Sequence, residues 1–214
     1  MNLFQVAWDD YTENVSAADM TISLGCGYLL YSAAVLLRPK RILDLGSGFS
    51  SYVLRTYVEG CEDPIVIYSV DTKKRWLDKT AEFLENYGVN SDNMILWPDF
   101  KAGGLKNFDF VFHDLGNMRT RRDSLKVVEE RCSLQSVIVL DDMHKARWRE
   151  YAYEFLEGKG YSLRSLQWAT VDDYSRFAEV AIREDSCRTT RTSLLLDVEA
   201  AGRNTHLSSS NVQD

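Results

Sequence analysis

The sequence has little that would tie it to the cell exterior, a bilayer or nucleic acid. Its four cysteines, Cys26, Cys61, Cys132 and Cys187, form no C-x-x-C pair and keep no company with a histidine cluster. That spacing fits neither a disulfide framework nor a zinc site, so they read as small buried hydrophobes in a reducing compartment, the cytoplasm. No apolar run approaches ~20 residues, so no membrane span is expected. The opening MNLFQ reaches Asp9 and Asp10 without a basic stretch and an apolar segment behind it, so no secretory signal is expected. Positive charge is also short: 25 Lys and Arg against 32 Asp and Glu leave a formal net charge of −7. Broad binding to nucleic acid needs clustered cations to neutralise phosphates, so no nucleic-acid partner is expected. The short run Arg119, Arg121 and Arg122 reads as the solvated start of a helix.

What is present is an ordinary globular balance, 45% hydrophobic and 27% charged over 214 residues, enough for one domain with a buried core. Short β-branched or apolar runs at 41–45, 65–70, 94–97, 108–112 and 136–140 predict strands. Between them, 3.6-residue periodicity predicts helices at 50–59, 74–87, 121–132 and 145–159. An earlier helix over 23–37 carries Leu24, Tyr28, Tyr31 and Val35 at helical spacing and stops at Pro39. Strand–helix alternation of this kind means βαβ crossovers and a parallel sheet covered on both faces. The segments 161–166 and 177–183 break the pattern: only a polar loop joins them, so they pair antiparallel. The expected fold is α/β, a Rossmann-like doubly wound sheet of about seven strands, mostly parallel with a reversed C-terminal strand. It would span 23–183. Residues 1–22 read as a helical lid segment, with Trp8, Tyr11 and Tyr28 as candidate substrate contacts, and 184–214 as a polar, flexible tail in which only 193–198 suggests order.

The strongest local signal is Ile42-Leu43-Asp44-Leu45-Gly46-Ser47-Gly48-Phe49-Ser50-Ser51, an apolar strand running through Asp and Gly-x-Gly into a helix. Ligands of open α/β sheets bind beyond the carboxyl ends of the strands, where glycines let the backbone turn and a ligand approach. The second strand ends in Val70-Asp71, and a carboxylate there can accept from both ribose hydroxyls. A dinucleotide fingerprint would put a third glycine where Ser51 stands. A pyrophosphate would also be repelled by Asp44, which suits a ligand with an ammonium group. S-adenosylmethionine has such a group, a sulfonium and no phosphate.

These stretches resemble class I S-adenosylmethionine-dependent methyltransferases, nearest in pattern to small-molecule O-methyltransferases of the catechol and macrocin type. RILDLGSGFSS is similar to their motif I, Val70-Asp71 to motif II, Trp97-Pro98-Asp99-Phe100 to the adenine-contacting segment and FDFVFHD (108–114) to motif IV. The resemblance implies cofactor contacts from Asp44, Gly46, Ser47, Gly48, Ser50, Asp71, Thr72, Asp99, Phe100 and Asp114. It also implies methyl transfer to an oxygen of a small molecule. A methyltransferase of protein or RNA, an NAD-linked oxidoreductase and a non-catalytic nucleotide-binding module are the alternatives.

Asp114 ends the fourth strand and Asp141-Asp142 end the fifth. Three carboxylates at neighbouring strand ends could hold Mg2+, which wants oxygen ligands and lowers a hydroxyl's pKa. The same arrangement occurs in the metal-dependent relatives, although they place lysine or histidine where this chain has Asn117. Asp114 and His144 are the catalytic candidates, His144 as general base, with His113 second and read equally well as a packed core residue. A homodimer is left open.

Overall fold

In the computed structural model, which describes residues 3–183, the expected alternation folds into a seven-stranded sheet. The expected tail, with Cys187, His206 and the 193–198 segment, lies outside the described residues. The strands are β1 (Arg41–Leu45), β2 (Val66–Asp71), β3 (Met94–Leu96), β4 (Phe108–His113), β5 (Cys132–Leu140), β6 (Tyr161–Ser165) and β7 (Glu179–Arg183). Their spatial order is β3-β2-β1-β4-β5-β7-β6. The first five run parallel, and β7 enters antiparallel between β5 and β6. A dinucleotide-binding sheet has the order 3-2-1-4-5-6 with no such inserted, reversed strand.

The helices are α1 (Gln5–Asn14), α2 (Leu24–Leu37), α3 (Phe49–Glu59), α4 (Lys74–Asn86), α5 (Trp97–Ala102), α6 (Met118–Glu129), α7 (Ala146–Glu157) and α8 (Gln167–Thr170). Side chains alternate across a strand, so each central strand feeds two cores. Ile42, Phe110, Phe112, Val137 and Val139 pack on one face with Phe4, Leu30, Val53 and Phe83 from α1–α4 and the residue before α1. Leu43, Leu45, Val111, Ile138 and Leu140 pack on the other with Leu125, Val128, Trp148 and Ala152 from α6 and α7. Burial on both faces explains why β1, β4 and β5 read as continuous apolar runs.

Several boundaries differ from expectation. The third strand stops at Leu96, because Trp97-Pro98 opens α5, where proline's missing N–H leaves no bond unmade. Helix α6 starts at Met118, capped by the Asn117 side chain, which accepts from the Arg119 and Thr120 N–H groups. It ends before Cys132, which already belongs to β5. The loop between the last two strands holds the single turn α8. In α2 the buried residues are Cys26, Gly27, Leu30, Ala33 and Ala34, while Val35 is 44% exposed. That helix is apolar all round, so its own pattern cannot say which side docks.

The N-terminal segment is tied down by its own polar groups. Phe4, Ala7 and Tyr11 are buried in the core. The Trp8 indole N–H donates to the Ile22 carbonyl (2.9 Å), and the Phe4 N–H donates to the Tyr28 hydroxyl (3.2 Å). Arg176, before β7, donates to the carbonyls of Ala18, Asp19 and Thr21. No helix among the described residues is long and apolar enough to cross a membrane.

Candidate active site

The glycine turn joins β1 to α3 at the carboxyl edge of the sheet. Gly46 has φ +99°, and its N–H donates to the Val70 carbonyl (2.8 Å). A Cβ there would lie 2.5 Å from the Asp114 carbonyl oxygen, so only glycine lets this turn nest against the end of β4. Gly48 is different. Its φ is −178°, ordinary extended backbone, and a Cβ would meet the Tyr11 hydroxyl at 3.5 Å, normal contact. The fold demands Gly46; at Gly48 a side chain would meet only ordinary contact.

Asp44 is wholly buried beneath this turn. Its two carboxylate oxygens accept from the hydroxyls of Ser50 (2.8 Å) and Ser51 (2.5 Å). Asp44, expected as a cofactor contact, has both oxygens on the first turn of α3, with Ser50 and Ser51 as its partners. Burial pushes the carboxyl up to about 6, against the opposing pull of those hydroxyls. The Ser51 hydroxyl also accepts from the Gly48 N–H (3.3 Å).

Asp71 ends β2 across from the turn. It accepts from the Ser47 hydroxyl (3.3 Å) and the Lys73 N–H (2.9 Å), and burial raises its carboxyl. Thr72, next to it, is half-buried. Tyr11 feels both Asp44 and Asp71, and burial above all lifts its phenol to about 12. Asp99 sits exposed in the first turn of α5 and lines a cavity of about 320 Å3 with Lys74, Leu77, Ile95 and Leu96. Phe100 is buried; its carbonyl accepts from the Arg131 guanidinium (2.6 Å), which lies over its ring at 4.6 Å.

At the ends of β4 and β5 two of the three expected carboxylates, Asp114 and Asp142, meet on an arginine. Arg121, only 5% exposed, reaches in from α6. One terminal nitrogen pairs with both Asp114 and Asp142, the latter at 2.7 Å. The other donates to the Asp141 carbonyl (3.3 Å), and Nε donates to the Gly116 carbonyl (3.2 Å). This corrects the reading of Arg121 as solvated. Arg122 is half-buried over the Tyr151 ring, and of the basic run only Arg119 is exposed. Asp142 holds φ +61°, a conformation few non-glycine residues adopt, and also pairs with Lys145 at 2.5 Å. Burial works against its charge, but Arg121 and Lys145 outweigh it and hold the carboxyl below its usual range.

Asp141 has no such partner. Burial first, then the charges of Asp114 and Asp142, push its carboxyl up to about 8. His144, partly exposed, sets Nδ1 3.6 Å from Asp142 with no hydrogen bond, and burial lowers its pKa. His113 is a core residue: Nε2 meets the Ser124 hydroxyl at 2.8 Å, the ring stacks on Trp148, and burial holds it down to about 3.

Sequence reasoning missed Arg121, Lys145, Ser51 and the approach of Tyr11 to the turn. Arg121 had a signal. It stands four and seven residues before Leu125 and Val128, on the buried face of α6, once Asn117 is taken as the cap.

No family model matches the sequence, and no curated protein matches it. Solved structures do. The O-methyltransferase TomG of Streptomyces achromogenes, from tomaymycin synthesis and bound to S-adenosylmethionine, superposes with TM-score 0.66 at 19% identity, over 83% of this chain and 89% of that one. An O-methyltransferase of Bacillus cereus bound to S-adenosylhomocysteine gives 0.68 at 15% identity, over 84% and 91%. The methyltransferase PaMTH1 of Podospora anserina, bound to S-adenosylhomocysteine, gives 0.63 at 19%, over 83% and 86%. At these identities the likeness establishes architecture: the protein has the Rossmann-like fold of class I methyltransferases.

Proposed function

We propose that this protein is an S-adenosylmethionine-dependent methyltransferase acting on an oxygen of a small molecule. The observation that carries this is the pair of carboxylates flanking the glycine turn, Asp44 beneath it and Asp71 facing it. A pyrophosphate at this helix start would sit over the buried Asp44, whereas a cationic, phosphate-free nucleoside would not be repelled; Asp71, at the end of β2, is placed for a ribose. The long Ser47–Asp71 hydrogen bond, which ribose hydroxyls can replace, fits that ligand. In this reading Gly46, Ser47, Gly48, Asp71 and Thr72 line the cofactor, Asp99 and Phe100 lie on the adenine side, and Asp44 and Ser50 position the turn.

The bound cofactor supplies a methyl group already activated on a sulfonium. The protein's work is then to orient the acceptor, exclude water and take a proton. His144 is the base. Burial lowers its pKa, which favours the neutral ring that can accept a proton. His144 would take the acceptor's proton, and the bound cofactor would give up its methyl from sulfur and leave as the neutral thioether S-adenosylhomocysteine. Asp114 keeps Arg121 in place beside this reaction edge. The residues do not fit Mg2+: the oxygens of Asp114 and Asp142 that would ligate it are turned onto the Arg121 guanidinium. The reducing, cytoplasmic setting rests on Cys26, Cys61 and Cys132, all free thiols.

Calorimetric titration with S-adenosylhomocysteine and with NAD+ tests the cofactor. Saturable binding of the first alone, weakened at least about tenfold in Asp71→Ala, is expected, since one good charged hydrogen-bond pair is worth roughly 1.5–3 kcal/mol. Binding of NAD+ instead would sink the reading. Incubation with labelled cofactor and a panel of phenols and sugar hydroxyls, against peptides and RNA, identifies the acceptor.

A further inference from the structure

Two carboxylates at the ends of β4 and β5, Asp114 and Asp142, share a counter-cation that this chain carries itself. Arg121 reaches the cluster from one turn inside α6, on the helix face that also buries Leu125 and Val128. It binds each wall at once: Asp114 and the Gly116 carbonyl after β4, Asp142 and the Asp141 carbonyl after β5. A guanidinium has five N–H donors; three make hydrogen bonds here and Asp142 adds an ion pair, so its position is fixed by geometry as well as by charge. A divalent ion at this place would do the same two things, neutralise the carboxylates and cross-link the two loops. It would need those oxygens pointed at a common centre about 2.0–2.1 Å away for magnesium. Two of them instead face the same guanidinium nitrogen. Lys145, at 2.5 Å from Asp142, adds a second fixed cation on the outer side. Among the described residues no group of three His, Cys, Asp or Glu side chains is arranged to hold a metal.

We propose that Arg121 is a built-in replacement for a divalent cation, a positioning residue that ties β4 to β5 and fixes Asp142 beside His144. The inference concerns the cation of this cluster and goes beyond the methyltransferase reading. Its consequence is specific: removing the guanidinium should uncover a latent metal site that the intact protein lacks.

The test uses the full chain, stripped with EDTA. Tb3+ is the probe, excited through tryptophan. The Trp148 indole N–H donates to the Asp141 carbonyl at 2.9 Å, so an ion in the cluster would sit beside a sensitiser. Wild-type protein should give no saturable signal that Mg2+ displaces, and Mg2+ should leave its melting temperature unchanged. Arg121→Ala should melt lower in EDTA and recover on adding Mg2+ or Mn2+. It should also bind Tb3+ at least tenfold more tightly than wild type, and adding Asp142→Asn to that variant should abolish the gain. Arg121→Gln serves if the alanine variant does not fold. A merely structural arginine would lower the melting temperature without creating metal rescue. Mg2+-displaceable Tb3+ binding in wild type that Asp142→Asn removes, or no metal gain in either Arg121 variant, overturns the proposal. S-adenosylhomocysteine affinity measured on the same wild-type sample reports on the methyltransferase reading separately.

Discussion

Two buried aspartates close the same edge of the sheet in opposite electrostatic company. Asp44, at the end of β1, is held by two serine hydroxyls and its carboxyl is lifted to about 6. Asp142, just past β5, is held by Arg121 and Lys145 and its carboxyl is lowered. Neutral donors stabilise a buried carboxylate only in part, whereas a guanidinium and an ammonium outweigh the loss of solvent. The cofactor half of the edge therefore keeps its negative character. The half next to His144 is neutralised from within.

The largest expected effect comes from breaking the charged half. Arg121→Met removes the cation but leaves Asp114 and Asp142 buried, and loss of one partner of a buried pair costs about 3–5 kcal/mol. Chemical denaturation in EDTA should show that loss, against a far smaller one for Arg119→Met on the exposed side of the same helix. Next comes the turn. Gly46→Ala forces a side chain into left-handed backbone and onto the Asp114 carbonyl, and should cost about 2–3 kcal/mol along with cofactor affinity, read by denaturation and calorimetry.

A smaller effect separates the two aspartates by pH. The folded protein holds a proton on Asp44 up to about pH 6, whereas the group's ordinary pKa is 3.8. The folded state thus binds more protons in that window, so this group's contribution to stability is full below about pH 4, falls as pH rises to 6 and is flat above. Asp44→Asn should remove that part of the decline in melting temperature. Asp142 has the reverse sign: its contribution is present above the ordinary carboxylate pKa and is lost on acidification. The smallest effect on stability is expected at Gly48. Gly48→Ala adds an ordinary contact and should stay within about 0.5 kcal/mol of wild type. Its affinity for S-adenosylhomocysteine should nevertheless fall, which would mark the place where ligand and backbone meet.

The charged half was also the less legible one. RILDLGSGFSS announces a strand, a turn and a helix because each signal is local: β-branched and apolar residues, then glycines, then a capped helix start. Asp114, Asp141 and Asp142 were legible as strand-end acids for the same reason. Their cation was not, because Arg121 comes from α6 and its inward direction depends on Asn117 fixing where that helix begins. The buried side of α2 was hidden for a related reason, since an apolar surface all round leaves the choice to the neighbours.

By itself, then, the sequence determined the alternation of strands and helices, the reversed final strand and the glycine turn with its two acids. These follow from periodicity and backbone chemistry acting over a few residues. Only the tertiary structure decided that Asp44 turns inward onto serines and that Asp114 and Asp142 meet on an arginine rather than around open space. Those outcomes depend on which groups distant in the chain arrive within hydrogen-bonding distance once water is removed.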